Sequence, residues 1–122
     1  MAEVLVVDDS ETMRLAVEKV LNDAGISTVS AENGVAAIAC FEKNPSVKLI
    51  VSDYNMPEMD GVSAIEKIRK LPGGDKVLVF MLTTETSPEL KASGKAVGVK
   101  AWITKPLNDS KFLAVVQRVL GA

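Results

Sequence analysis

The chain contains no histidine and only one cysteine, Cys40, among its 122 residues. A lone cysteine cannot form a disulfide within the chain, and without histidine the usual zinc ligands are missing. A structural zinc site is therefore excluded. Cys40 falls in a helical pattern, where we expect it to pack as a small apolar residue.

A large excess of charge of either sign is also missing. The chain has 14 Lys and Arg residues and 16 Asp and Glu residues, which gives a formal net charge of -2 at pH 7. A nucleic-acid-binding protein usually presents a strong basic field to the phosphate backbone. Binding to nucleic acid is therefore not expected.

The sequence has no long apolar stretch. No run approaches the length that spans a membrane, and the first residues lack the basic and apolar regions of a secretory signal. We therefore expect a cytoplasmic protein without a membrane segment. A length of 122 residues fits one domain, residues 1–122. A domain of this size buries enough apolar surface to fold without disulfides or a structural metal.

What the chain does have is a series of short apolar runs that alternate with helical patterns. The runs lie at 4–7, 26–31, 49–53, 77–83 and 100–104. The helices are predicted at about 10–24, between Asn33 and Asn44, at 62–68, from Pro88 through 90–97 with Ser87 as the cap, and from Asn108 onward. This alternation predicts an α/β fold with a doubly wound, five-stranded parallel sheet, the flavodoxin-like (βα)5 arrangement. The second and fifth runs are the most polar and suit edges, which favours the strand order 2-1-3-4-5.

Polar residues stand at the ends of four of these strands. Asp8 and Asp9 follow the first, Asp53 ends the third, Thr83 ends the fourth and Lys105 follows the fifth. Taken singly, each has an ordinary explanation as a cap, a turn residue or a solvated charge. The carboxyl ends of parallel strands, however, meet at one edge of the sheet, where ligands bind. The sequence therefore predicts one site with three carboxylates, a hydroxyl and an ammonium group.

Three clustered carboxylates repel one another and need a cation. Oxygen ligands favour Mg²⁺, or Mn²⁺, over softer metals. We predict that Asp9 and Asp53 hold the ion and that Asp8 acts partly through water. The bound ion would offset the charge of an incoming phosphoryl group, to which Lys105 would add a second cation and Thr83 a hydroxyl donor.

Asp53 is the predicted nucleophile toward phosphorus, because a carboxylate can form an aspartyl phosphate. It lies on the central strand, and the loop that follows it can place a backbone carbonyl near the metal. Asp8 and Asp9 sit together on a neighbouring strand end, which suits metal binding better than attack.

These residues also form a motif with a fixed order and spacing. Its parts are Asp8-Asp9, Asp53-x-x-Met56-Pro57-x-Met59-Asp60-Gly61, Thr83 and Lys105-Pro106. The motif covers essentially the whole chain and resembles the receiver domain of two-component response regulators.

The resemblance implies a role for each site residue. Asp53 would take phosphate from a histidine kinase, and Thr83 and Lys105 would contact the phosphoryl group. Asp8, Asp9, Asp53 and the backbone carbonyl of Asn55 would bind Mg²⁺, and the Lys105-Pro106 bond would be cis. Such a domain assists its own phosphorylation and dephosphorylation and is not otherwise an enzyme.

The chain stops after the fifth helix, so no output domain is expected, and it resembles the stand-alone chemotaxis regulators of the CheY-like type. Trp102 and Thr83 match the family's switch residues, although Trp102 stands where a tyrosine is frequent. Asn55 and Glu85 match positions that tune hydrolysis and suggest an auxiliary phosphatase. The implied target is the flagellar motor switch, or another protein, on the face of helix 4, strand 5 and helix 5. A monomer is expected.

Other functions stay open at this point. A single-domain receiver could serve as a phosphorelay shuttle or as another motility regulator. A rival from another class is a small Mg²⁺-dependent phosphatase with an aspartyl intermediate. Those enzymes usually carry Asp-x-Asp on the first strand, whereas this chain has Asp8-Asp9-Ser10 and no obvious cap domain. A flavin or nucleotide site is less favoured, because paired aspartates do not suit a phosphate loop.

Overall fold

Strands and helices alternate along the chain in the order that the sequence predicts. The computed structural model describes residues 2–56, 58–84 and 87–121. Within these ranges the elements are β1 Val4–Val7, α1 Glu11–Asp23, β2 Thr28–Ala31, α2 Gly34–Lys43, β3 Leu49–Asp53, α3 Gly61–Ile68, β4 Leu78–Thr83, α4 Pro88–Ala96, β5 Ala101–Thr104 and α5 Asp109–Leu120.

The five strands form one parallel sheet in the order β2-β1-β3-β4-β5, which confirms the predicted topology. Every residue of β1 and β3 is buried, because helices cover both faces of the sheet. The edge strands β2 and β5 are partly exposed, as their more polar sequences indicated. This topology puts β3 at the centre, between β1 and β4.

The core has two apolar layers, one on each face of the sheet. Phe41, Ile65 and Ile68 belong to the layer under α2 and α3. Leu21 and Phe112 belong to the layer under α1 and α5. Each such side chain, fully buried, contributes about 1.5–3 kcal/mol to folding, so the two layers hold the helices firmly against the strands.

All five helices begin at a residue whose side-chain oxygen accepts a backbone N–H three positions later. These N-caps are Ser10, Asn33, Asp60, Ser87 and Asn108. A cap of this kind stabilises a helix by about 1 kcal/mol. Four of the caps, those of α1, α3, α4 and α5, follow the strand ends at which the site lies.

One predicted boundary was wrong by two residues. The second strand begins at Thr28 rather than at residue 26, because the N–H of Ile26 donates to the carbonyl of Leu21 in the turn that ends α1. Helix α4 begins at Pro88 with Ser87 as its cap, which confirms the predicted start. In the described part of the chain, no helix has the length and hydropathy that crossing a membrane requires.

Candidate functional site

The carboxyl edge of the sheet gathers the residues that the sequence predicted there. Asp8 follows β1, Asp53 ends β3, Thr83 ends β4 and Lys105 follows β5. Asp8, Asp53 and Thr83 are only 2%, 4% and 1% exposed, whereas Asp9 is exposed to solvent. Burying two carboxylates side by side is unfavourable unless a cation compensates them, so the arrangement is typical of a binding site.

Lys105 is the protein's own cation at this edge. Its Nζ lies 3.0 Å from Oδ1 of Asp53 and 3.8 Å from Oδ2 of Asp8. The N–H of Lys105 also donates to the carbonyl of Thr83 at 2.9 Å, which ties the end of β5 to the end of β4. The Lys105-Pro106 bond is cis, as the resemblance implied. One ammonium group thus faces two buried carboxylates.

The carboxylates of Asp8, Asp9 and Asp53 form a tight cluster. One oxygen from each lies within 4.8 Å of the other two. Oδ1 of Asp8 accepts the N–H of Ser10 at 2.9 Å, but its buried Oδ2 has no hydrogen-bond partner among the described residues. Buried polar atoms are normally hydrogen-bonded, whereas this oxygen has the ammonium of Lys105 nearby at 3.8 Å but accepts no hydrogen bond from it, which leaves it able to bind a cation.

The pKa of Asp8 is raised above its ordinary value. Burial is the main cause, because it disfavours the charged form, and the nearby charges of Asp53 and Asp9 add to it. The N–H of Ser10 and the charge of Lys105 hold the pKa down in part. The native protein therefore keeps Asp8 charged only at a cost in stability.

This donor set fits a hard divalent cation. Mg²⁺ prefers carboxylate oxygens and water, and it keeps open positions for a phosphoryl oxygen. The unpartnered oxygen of Asp8 and the exposed carboxylate of Asp9 are suitable ligands, and a cation there would relieve the repulsion that the cluster now bears. Asn55, two residues beyond Asp53, lies in the adjacent exposed loop.

Close packing, which the sequence reasoning did not use, fixes the loop after Asp53. A β-carbon on Gly61 would lie 2.7 Å from the backbone oxygen of Asp53 and 2.6 Å from Sδ of Met81. The N–H of Gly61 donates to the carbonyl of Tyr54 at 3.0 Å, and Glu58 adopts a left-handed conformation with φ 69°. Only glycine fits at position 61, so the glycine at the end of the Asp53–Gly61 part of the motif has a steric reason.

A second missed contact comes from α1. Nη1 of Arg14 donates to the backbone carbonyl of Asp8 at 2.9 Å and so supports the end of β1.

Trp102 is half-buried, with its ring centroid 6.1 Å from that of Tyr54 at an interplanar angle of 55°. Glu85 lies outside the described residues, so its role remains a prediction.

Removing the charge of Asp8 should stabilise the metal-free protein. Because the native pKa is raised, the stability associated with protonation is present below the ordinary value of 3.8 and is lost as pH rises through the native pKa. Above the native pKa the metal-free protein therefore bears the cost of a charged Asp8, and Asp8→Asn should raise its Tm at neutral pH by a few degrees. Differential scanning fluorimetry from pH 4 to pH 7 measures this gain, which should shrink toward low pH.

Magnesium supplies the control for this variant. A ligand that binds only the folded state raises Tm, so Mg²⁺ should stabilise the wild type more than Asp8→Asn and narrow the gap between them. A lower Tm for metal-free Asp8→Asn at pH 7, or equal Mg²⁺ responses of the two proteins, would contradict this explanation of the cluster.

Comparison with known proteins identifies the class of protein that has this fold and this acidic site. The sequence matches the family described as response regulator receiver domain over residues 4–117. The chain therefore belongs to the response regulator receiver family.

Three of the similar proteins are named as chemotaxis proteins. The chemotaxis protein CheY homolog of Campylobacter jejuni is 35% identical over 120 residues, which cover 98% of this chain and 92% of that protein. Chemotaxis protein CheY1 of Helicobacter pylori is 33% identical, with 98% and 97% covered. The structure of Vibrio cholerae chemotaxis protein CheY4 matches with a TM-score of 0.91 and 43% identity over 98% of each chain. The chain is thus a receiver domain of the CheY type, which supports a role in chemotaxis two-component signalling.

Proposed function

We propose that this receiver domain is a phosphorylation-operated signalling module whose phosphoacceptor is Asp53. One observation carries the proposal. The buried carboxylate of Asp53, at the end of the central strand, faces Nζ of Lys105 at 3.0 Å and lies beside the carboxylates of Asp8 and Asp9. A nucleophile, a fixed cation and ligands for a divalent ion therefore converge on one spot.

Asp53 suits nucleophilic attack better than the other two carboxylates. Asp8 uses Oδ1 to accept the N–H of Ser10, and Asp9 is exposed to solvent. Asp53 instead ends the central strand, which pairs with β1 on one side and β4 on the other, and it lies opposite Leu82 of β4. Because the strand that carries the carboxylate is rigid and buried, less entropy must be lost on reaching the transition state.

The reaction moves a phosphoryl group from a phosphohistidine of the kinase to Asp53. A carboxylate oxygen attacks phosphorus, the P–N bond breaks, and the leaving imidazole takes its electron pair and a proton from solvent. The ammonium of Lys105 compensates the charge that gathers on the phosphoryl oxygens, and the hydroxyl of Thr83, at the end of β4, is placed to contact them. Asp8, Asp9, Asp53 and the carbonyl of Asn55 would hold Mg²⁺, which would supply further positive charge when bound.

The product is a modified regulator rather than a released substrate, so the chain itself is the acceptor and not a conventional enzyme. Water later attacks phosphorus and restores the carboxylate. Asn55 is exposed beside Asp53, where it can influence the approach of that water. Asn55 and Glu85 are the proposed tuning residues, and an auxiliary phosphatase is a proposed partner.

The proposed setting is cytoplasmic chemotaxis signalling, with a histidine kinase as donor and the flagellar motor switch as target. The similar proteins from Campylobacter, Helicobacter and Vibrio support this setting. The proposed contact surface is the face formed by α4, β5 and α5. This face has a cavity of about 200 Å³ beside Ile103, Pro106, Phe112 and Val115, which offers apolar area to a partner.

Intact-mass spectrometry with a small acyl-phosphate donor tests the proposed function. The wild-type protein should gain the mass of one phosphoryl group when Mg²⁺ is present and almost none in EDTA, because the uncompensated acidic cluster repels the donor. A control without donor gives the baseline mass. An adduct that forms equally well in EDTA, or none from a folded protein shown to bind Mg²⁺, would contradict the proposal.

A steady release of product from a simple aryl phosphate would favour the small phosphatase instead. Turnover of this ester, rather than of the acyl-phosphate donor, separates the two functions, because a receiver that has lost its phosphoryl group to water can take another one from the acyl phosphate.

A further inference from the structure

Helix α4 and strand β5 meet where a side chain is missing. Gly94 is buried on α4, and its nearest neighbours are atoms of the indole of Trp102. A β-carbon on Gly94 would lie 2.3 Å from Cζ2, 2.9 Å from Cε2 and 3.0 Å from Nε1 of that ring. Carbon atoms do not approach one another so closely, because packed interiors tolerate little overlap. The space occupied by the indole therefore exists only because residue 94 has no side chain.

The indole of Trp102 also lies near a second aromatic ring. The ring of Tyr54 lies 6.1 Å away, centroid to centroid, and is tilted by 55°. A tilted aromatic pair at this separation is favourable. Trp102 thus lies next to both α4 and Tyr54, the residue that follows Asp53, and we expect an indole displaced by a new atom at position 94 to lose its contact with Tyr54.

Arg69 holds the C-terminal end of α4 in place, so that we do not expect α4 to move away from β5. Its Nε donates to the carbonyl of Val97 at 2.9 Å, and its Nη2 donates to that of Gly98 at 3.1 Å. Its Nη1 donates to the carbonyls of Gly74 and Val77, which lie in the connection from α3 to β4. One guanidinium therefore joins the residues after α4 to a separate part of the chain.

We propose that Gly94 is a positioning residue, whose missing side chain lets Trp102 seat beneath α4 and so fixes α4 on the face formed by α4, β5 and α5. The seating is a property of the chain before any phosphorylation. It rests on the proposed function only in the claim that partners use this face. The residue at position 94 then decides the shape that a partner meets.

The sign of a change in Tm tests the proposal. Alanine is a better helix former than glycine, so Gly94→Ala alone would raise Tm if space were available. We expect Gly94→Ala to lower Tm in the wild-type background and to raise Tm when Trp102→Val is also present, since valine has no ring to collide with. A rise in both backgrounds would overturn the proposal. If the single variant does not fold, the comparison of Trp102→Val with the double variant still decides, because a lower Tm for the double variant would overturn it.

Tryptophan fluorescence gives a second test, because a loss of stability alone would not change the emission of the folded protein. Trp102 is the single tryptophan of the chain, so emission reports its surroundings directly. Folded, unphosphorylated Gly94→Ala should show red-shifted emission and stronger quenching by acrylamide, because the indole is displaced toward solvent. Lys95→Ala, which changes the neighbouring exposed residue, should leave both unchanged. Wild-type emission and quenching in Gly94→Ala would overturn the proposal.

The same variant separates this inference from the proposed function. Gly94 lies outside the acidic cluster, so Gly94→Ala should gain its phosphoryl group from an acyl-phosphate donor at the wild-type rate. If the wild type itself takes up no phosphoryl group, the proposed function fails, and the emission and Tm of Gly94→Ala still decide the seating of Trp102.

Discussion

Asp53→Asn should reduce phosphoryl uptake from an acyl-phosphate donor by at least about 10³-fold, because an amide oxygen is a far weaker nucleophile than a carboxylate. Asparagine has nearly the same shape, so the end of β3 should keep its geometry. The substitution also removes one of three clustered negative charges, so the fold should not be weakened by repulsion. The loss of uptake would therefore reflect the chemistry of the carboxylate rather than a damaged site.

Intact-mass spectrometry measures this loss in the presence of Mg²⁺. Asp75→Asn is a matched control, because it removes an exposed carboxylate that is far from β3 in the sequence and outside the acidic cluster. It should take up phosphate at the wild-type rate. Uptake by Asp53→Asn at that same rate would show that another residue is the acceptor.

Lys105→Met should produce two effects of opposite direction. The rate of phosphoryl uptake should fall by about 10²–10³-fold, the usual effect of removing one group that stabilises charge in a transition state. The affinity for Mg²⁺ should rise, because the variant removes a positive charge that lies 3.0 Å from Asp53 and 3.8 Å from Asp8. Damage to the fold would lower both quantities, so the opposite directions identify an electrostatic role.

The metal-free Lys105→Met protein should also be less stable. Breaking a buried ion pair costs about 3–5 kcal/mol, but the side chain of Lys105 is 20% exposed and solvent screens part of its charge, so a smaller loss of about 1–3 kcal/mol is expected. Mg²⁺ titration by calorimetry and uptake by mass spectrometry give the two main results. Lys100→Met, an exposed lysine just before β5, is the control and should change neither. Reduced Mg²⁺ affinity in folded Lys105→Met would contradict the account.

The sheet and the contents of the site could be predicted from sequence because both follow from local patterns. The apolar runs that became β1 and β3 are continuous and fully buried, which is typical of central parallel strands. The polar residues at the strand ends converge because all the strands are parallel. No distance was needed to foresee that Asp53 and Lys105 share an edge.

The contacts that refine the site could not be predicted in this way. Arg69 joins carbonyls up to 29 residues away, and the fit of Trp102 against Gly94 depends on the height of α4 above β5. The unpartnered oxygen of Asp8 likewise depends on how deeply the end of β1 is buried. These features arise from packing between distant segments, for which the sequence offers no periodic signal.

The position of the phosphoryl group tests the central claim most directly. Borohydride reduces an aspartyl phosphate and marks the residue, so peptide mapping after treatment with an acyl-phosphate donor and Mg²⁺ locates the acceptor. We predict that the mark falls on Asp53 and disappears when Mg²⁺ is removed by EDTA. A mark on Asp8, Asp9 or any residue outside the cluster, with Asp53 unmodified, would contradict the account.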